Sequence, residues 1–243
     1  MTLNEFFSDH PKAALAFSGG VDSAYLLSAA RACGADIRPY FIKTPFQPAF
    51  ELADAKALAP DLQVLDLDVT ALAQVTDNPP DRCYHCKKAM FGLLRQKALE
   101  DGYHVLLDGT NASDDFSDRP GVRALQEYGV LSPLRMCGLT KEEIRTRSKE
   151  LGLFTWNKPA YACLATRIPT GTAITPQMLI RIEQAEQALM DLGYRDFRIR
   201  VFHDAARIQL NQDQFPVTTE QYHNLLQAVR PHFETVLLDL AGR

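Results

Sequence analysis

Apolar and polar positions follow two rhythms along this chain. Residues 13–17 form an apolar run that predicts a buried strand, and residues 22–33 predict the helix after it. The unit then recurs, with a strand at 37–42 and a helix near 49–58. A strand at 62–67, a long helix at 84–100 and a strand at 105–107 follow. This β-α-β-α alternation predicts an α/β fold, a Rossmann-like parallel sheet with helices on both faces. Thr140-Lys141-Glu142-Glu143 has the form of a capping box opening another helix, expected to end near Gly152.

The alternation breaks at a loop spanning residues 155–175, which carries Pro159, Pro169 and Gly171. A loop of that length calls for a functional reason. Thr175-Pro176 reads as an N-cap followed by proline at the first helical position. The helix after it puts Leu179, Ile182, Ala185, Leu189 and Leu192 on one face. Strands at 197–202 and 206–210, a helix with Tyr222, Leu225, Leu226 and Val229, and a strand at 235–240 complete a small α+β region. The expected domains are therefore 1–168 and 169–243.

Composition narrows the function classes. With 26 Lys+Arg against 30 Asp+Glu the net charge is −4, so no net field attracts nucleic acid. A chain of 243 residues that is 46% hydrophobic buries a core without disulfide staples. No run of about 18 apolar residues marks a membrane span. The start of the chain, with Glu5 and Asp9, lacks the apolar stretch of a secretory signal. Five unevenly spaced cysteines do not describe a disulfide framework. They predict a reducing, cytoplasmic setting, where thiols serve metal binding or chemistry.

Directly after the first strand stands Ser18-Gly19-Gly20-Val21-Asp22-Ser23. Two glycines let backbone approach an anion, and successive N–H groups converge with the positive end of the following helix. Ser18 and Ser23 add hydroxyls, and Asp22 has the chemistry to hold Mg²⁺ on a pyrophosphate. Asp108-Gly109-Thr110-Asn111 ends the fourth strand, where open α/β sheets bind ligands. The string at residues 18–23 resembles the SGGxDS signature of the PP-loop ATP pyrophosphatases. That resemblance implies ATP bound through residues 18–23, Gly109 and Thr110, and cleaved to AMP and pyrophosphate as an acyl group is adenylated.

Arg82-Cys83-Tyr84-His85-Cys86-Lys87 opens the long helix. Cysteines at i and i+3 point the same way and suit one shared metal. Cys163, inside the long loop, is the candidate third thiolate. Three thiolates suit a [4Fe–4S] cluster with one iron open, whereas His85 or His104 as a fourth ligand would suit zinc. Cys33 and Cys137 read as small buried residues.

Further segments fall in order: Asp118-Arg119-Pro120-Gly121, Ser132-Pro133-Leu134, Gly138-Leu139-Thr140-Lys141, Lys158-Pro159-Ala160, Ala162-Cys163-Leu164-Ala165-Thr166-Arg167-Ile168-Pro169 and Ala206-Arg207-Ile208. Together they resemble the LarE-type ATP-dependent sulfur transferases, which insert sulfur into the pincer ligand of a nickel nucleotide cofactor. The resemblance runs over nearly the whole chain. It implies Cys163 as the sulfur-bearing residue, and Cys83, Cys86 and Cys163 as ligands of a [4Fe–4S] cluster. It further implies ATP with Mg²⁺ on Asp22, a nucleotide-like carboxylate substrate, and a homo-oligomer.

Arg198, Arg200 and Arg207 would hold the substrate phosphate. The first two share a strand face; on their own they read better as solvated edge charges, and the resemblance is what assigns them the phosphate. Glu186 resembles a family acid that binds metal or orders this site. The family's Ala-Arg-Ile-Glu stands here as Ala206-Arg207-Ile208-Gln209, and a neutral Gln209 holds no cation as a carboxylate does. Another adenylating PP-loop enzyme, either a tRNA thiolase or an amide-forming synthetase, is the alternative. The acidic balance argues against the first, and the second has no need of the three cysteines. A non-catalytic nucleotide sensor with a structural metal is the third class.

Overall fold

The computed structural model describes residues 1–115, 120–215 and 218–243, and Asp118 and Arg119 of the motif series lie outside them. The chain forms two compact units, one of residues 1–69 and 81–158, the other of 70–80 and 159–243.

The first unit holds a four-stranded parallel sheet in the order β3-β2-β1-β4. Its strands are β1 (Lys12–Ala16), β2 (Asp36–Lys43), β3 (Gln63–Asp66) and β4 (Leu106–Leu107). Its helices are α1 (Leu3–Asp9), α2 (Val21–Ala32), α3 (Ala49–Leu58), α5 (Arg82–Glu100), α6 (Pro120–Glu127), α7 (Pro133–Met136) and α8 (Lys141–Glu150). The two-residue alternation of a strand explains why β1 is apolar throughout. Ala13, Leu15 and Phe17 face a core with Phe6, Leu26, Leu134 and Ile144. Ala14 faces the opposite core, with Tyr40, Phe91, Leu94 and Leu125. Both faces are covered, so polar alternation would bury unpaired charge.

The expected strands and the helices at 22–33, 49–58 and 84–100 are all present, displaced by one or two residues at their ends. Thr140 caps α8 as a full capping box, its hydroxyl accepting from the Glu143 amide while the Glu143 carboxylate accepts from the Thr140 amide. Three short helices, α1, α6 and α7, had no counterpart in the apolar pattern.

The second unit contains α4 (Ala73–Thr76), α9 (Pro176–Asp191), α10 (Thr219–Val229) and strands β5 (Arg198–Phe202), β6 (Ala205–Gln209) and β7 (Val236–Leu238). β5 pairs antiparallel with β6, and β6 pairs parallel with β7. Thr175 caps α9 at the Met178 amide, with Pro176 at its first turn as expected. Leu179, Ile182, Ala185 and Leu189 are buried, while Leu192 sits at the C-cap and is exposed.

The units divide the chain differently from a linear boundary after residue 168. Buried Asn78 donates its amide to the carbonyls of Pro169 at 2.8 Å and Thr172 at 3.0 Å. Its own carbonyl accepts from Gly171, and that of Thr76 accepts from Ile174. Residues 70–80 are thereby stitched to the long loop, which is packed chain with a 3₁₀ turn at Leu164–Arg167. Among the described residues no helix is long and apolar enough to cross a membrane.

Candidate functional site

In the first unit the chain builds β1, β2 and β3 outward on one side, then places β4 on the other side of β1. The switch point therefore lies at the carboxyl ends of β1 and β4, the position at which open α/β sheets form their ligand crevice. The segments 18–23 and 108–111 leave the sheet there.

Gly19 adopts φ +72°, and a Cβ on it would stand 3.0 Å from the backbone of Ala55 in α3. Gly20 is the N-cap of α2 and has no side-chain cap, so the first amides of that helix keep their capacity for an anion. Ser18 and Ser23 hydroxyls lie 3.2 Å apart, and Ser23 also donates to the Gly20 carbonyl. A Cβ on Gly109 would approach the Ser23 amide to 3.1 Å, so glycine lets the two segments touch. Asp108, largely buried, accepts from the Thr110 amide and hydroxyl and from the Ser132 hydroxyl, which fixes the turn.

Asp22, on the first turn of α2, accepts 3.2 Å from Asn111 Nδ2 and 2.5 Å from Lys141 Nζ. Sequence reasoning had not assigned Lys141 a role. The signal was there, because a lysine at the first position of α8 sets positive charge on the positive end of a helix. The Asp22 ion pair compensates that placement. Asn111 was placed in the ligand-binding segment 108–111 without a partner of its own.

Cys83 and Cys86 stand on the first turns of α5, the former exposed and the latter half-buried, and neither is in a disulfide. Arg82 Nη2 reaches the Cys83 sulfur at 3.7 Å, and the Cys86 thiol points to Met90 Sδ at 3.8 Å. Lys88 turns away to Tyr84 and Glu127, and His85 pairs with Asp81. Among the described residues no group of three or more His, Cys, Asp or Glu side chains gathers to hold a metal. Cys33 and Cys137 are half-buried and pack beside the core of the first unit. Burial raises the Cys137 thiol above its ordinary pKa.

In the second unit Cys163 is half-buried and outside any disulfide, immediately before the 3₁₀ turn. Glu186 and Arg167 are both about 1% exposed. Arg167 donates to both oxygens of Glu186, at 2.9 and 3.0 Å, and Tyr161 and the Ile199 amide supply two further donors. Each carboxylate oxygen thus has two protein donors already, so Glu186 orders the site and leaves no lone pair directed at a metal.

Arg198 is buried and donates to the carbonyls of Phe197 and Ala160, each at 2.5 Å. Burial, followed by repulsion from Arg167, brings its pKa down to about 10. Arg200, lowered by burial and then by Arg167 and Arg207, donates to Gln209 Oε1 at 2.6 Å and to the Thr166 carbonyl at 2.8 Å. Arg207 lies opposite Arg200 in the β5–β6 register and pairs with Asp239 at 3.6 Å. Gln209 passes its amide to Asp239 at 2.8 Å, so it bridges an arginine and an aspartate. A glutamate there could accept from Arg200 but would face Asp239 as a like charge, which gives the neutral residue a physical reason.

Fold and loops together define an α/β protein with an anion-receptive glycine turn at its switch point and a cluster of arginines in its second unit. No family model matches the chain. An uncharacterized protein of Synechocystis sp. is 36% identical over 248 residues, spanning 99% of this chain and 92% of its own length. The pyridinium-3,5-bisthiocarboxylic acid mononucleotide synthase of Lactiplantibacillus plantarum is 32% identical over 252 residues, spanning 99% of this chain and 90% of its own. An uncharacterized protein of Methanocaldococcus jannaschii is 32% identical over 238 residues, 98% of this chain and 92% of its own. The chain belongs to the family of LarE-type sulfur transferases.

Proposed function

We propose that this protein is an ATP-dependent sulfur transferase that converts a carboxylate of a pyridinium mononucleotide into a thiocarboxylate, in the synthesis of a nickel-pincer cofactor. The observation that carries the reading is the convergence of Gly19, Gly20, Gly109 and the Asp22–Lys141 pair on one crevice. The product named for the Lactiplantibacillus relative carries two thiocarboxylates, so the substrate class follows by exchanging sulfur for oxygen.

A carboxylate is a poor electrophile because its carbonyl carbon is shielded by negative charge. In this reading a substrate carboxylate oxygen attacks the α-phosphorus of ATP, and the bond from that phosphorus to the bridging oxygen breaks. Pyrophosphate leaves into the amides of residues 18–23, with Lys141 and an Mg²⁺ on Asp22 balancing its charge. Asn111 and Lys141 place one donor on each oxygen of Asp22, so the carboxylate keeps lone pairs that would hold an Mg²⁺, and the ion would supply further positive charge to the leaving pyrophosphate.

A sulfur nucleophile then attacks the acyl carbon and expels AMP. With Cys163 as donor, removal of its Cα proton breaks the Cβ–S bond. The sulfur stays on the substrate and dehydroalanine remains at 163, so each chain serves one sulfur. Arg198, Arg200 and Arg207 supply the positive charge for the nucleotide phosphate.

Cys83, Cys86 and Cys163 lie outside any disulfide and have the softness that suits a [4Fe–4S] cluster, the first two one helix turn apart, although among the described residues no three such side chains gather. When bound, such a cluster would supply a sulfide that spares Cys163, and the steps above do not depend on it.

The test is incubation with Mg-ATP and the pyridinium-3,5-dicarboxylic acid mononucleotide. AMP, pyrophosphate and a product heavier by an oxygen-to-sulfur exchange are expected, and Asp22→Ala should form none of them. AMP formation without sulfur gain in freshly purified protein would overturn the reading in favour of another adenylating enzyme. Anaerobic iron and sulfide assays on wild type and Cys163→Ala address the cluster, and stoichiometric zinc in both would remove it.

A further inference from the structure

We propose that the buried Arg167–Glu186 pair is a positioning device that holds the Cys163 turn in the conformation from which its thiol reacts. The inference rests on the sulfur-transfer reading, brings in Arg167 and Thr166 as new participants, and gives Glu186 the anchoring of one turn in place of a metal.

The 3₁₀ turn at Leu164–Arg167 is four residues long and too short to hold its own shape. Its carbonyls are instead pinned by side chains. Arg167 Nη1 donates to the carbonyl of Ala162 at 2.8 Å and of Cys163 at 3.3 Å, and to the Thr166 hydroxyl at 2.8 Å. The Cys163 carbonyl also accepts from the Thr166 hydroxyl at 2.8 Å and the Thr166 amide at 3.0 Å. Arg198 takes the carbonyl of Ala160, and Arg200 that of Thr166. Four carbonyls between residues 160 and 166 are therefore held by three guanidinium groups.

Glu186 anchors the guanidinium at the centre. It takes Arg167 in a two-bond fork, accepts from the Ile199 amide of β5, and accepts from the Tyr161 hydroxyl in the same loop. Tyr161 also lies under the guanidinium groups of Arg167 and Arg198, at 4.5 and 5.2 Å from its ring centre. A buried ion pair adds little stability over a packed apolar pair of the same volume, so its use here is geometric. The half-buried Cys163 side chain carries the one thiol on the segment so clamped.

Three variants test this: Arg167→Lys, which keeps charge but loses the fork; Glu186→Gln, nearly isosteric; and Thr166→Val, which removes one hydroxyl. The readout is thiocarboxylate formed per pyrophosphate released, which a uniform loss of folded enzyme does not change. Arg167→Lys should lower this ratio by roughly 100-fold, the cost of misplacing a nucleophile by about an ångström. Thr166→Val should lower it less. Amide hydrogen exchange at Thr166 should quicken in Arg167→Lys and Glu186→Gln, whether or not the substrate reading holds. An unchanged ratio in the folded variants overturns the positioning role, and so does unchanged exchange. If Arg167→Lys yields no folded protein, the other two variants decide. Wild type that releases no pyrophosphate with the dicarboxylate overturns the sulfur-transfer reading and leaves the exchange result to judge the clamp.

Discussion

Replacing Gly19 by alanine separates two physical demands on one residue. Its φ of +72° is one demand, and the Ala55 backbone 3.0 Å from any Cβ is the other. Gly34 supplies the control, with φ +76° and no heavy atom within 4 Å of a built Cβ. A left-handed alanine costs about 1–2 kcal/mol, partly offset by about 0.4–1 kcal/mol from the stiffer unfolded chain. Gly34→Ala should therefore lose about 0.5–1 kcal/mol. Gly19→Ala carries the same cost and also pushes on a helix backbone, where overpacking costs about 1–3 kcal/mol more. The sum is about 1.5–4 kcal/mol, or a fall in Tm of about 3–16 °C in a chain of this size. The lone tryptophan, Trp156, lies in the same unit as both glycines, so its fluorescence during urea and thermal unfolding reports the change. Gly19→Ala should also lose pyrophosphate release, while Gly34→Ala keeps it. Equal destabilisation by the two substitutions would refute the claim that the close approach to α3 fixes the glycine.

Three further outcomes follow from named contacts. Lys141→Met should cost under about 1 kcal/mol, because the pair with Asp22 is partly exposed, yet reduce pyrophosphate release at least about 10-fold; unchanged release would dismiss the lysine. The Gln209 amide holds the Asp239 carboxyl below its ordinary pKa, so Gln209→Glu should lower Tm at neutral pH, with the gap to wild type narrowing as the pH falls and the carboxylates protonate. A gap independent of pH would contradict that pairing. Burial and then Arg181 depress the His232 pKa below 6.5, so below that pH the unfolded chain binds the proton first and stability falls with falling pH. His232→Gln should flatten that slope in Tm measurements, and an unaltered slope would assign it elsewhere.

Much of this protein is legible in the linear chain. The unbroken apolar strand at 13–17 followed by two glycines announces a buried parallel sheet with an anion turn, because period-two burial on both faces leaves no polar position. Thr140 with Glu143, and Thr175 with Pro176, announce their helices because a cap is satisfied within three or four residues. Those signals act over one turn of chain and so survive in the sequence. What tertiary structure alone decided is reach. Lys141 meets Asp22 across 119 positions, Asn78 stitches residues 70–80 to a loop about ninety positions onward, and Glu186 turns from an ordinary helix carboxylate into the buried anchor of the Cys163 turn. The helix pattern of α9 was compatible with a solvated glutamate there. Only the packing of β5 and the 3₁₀ turn against it removes water, and without water the carboxylate must be met by protein donors.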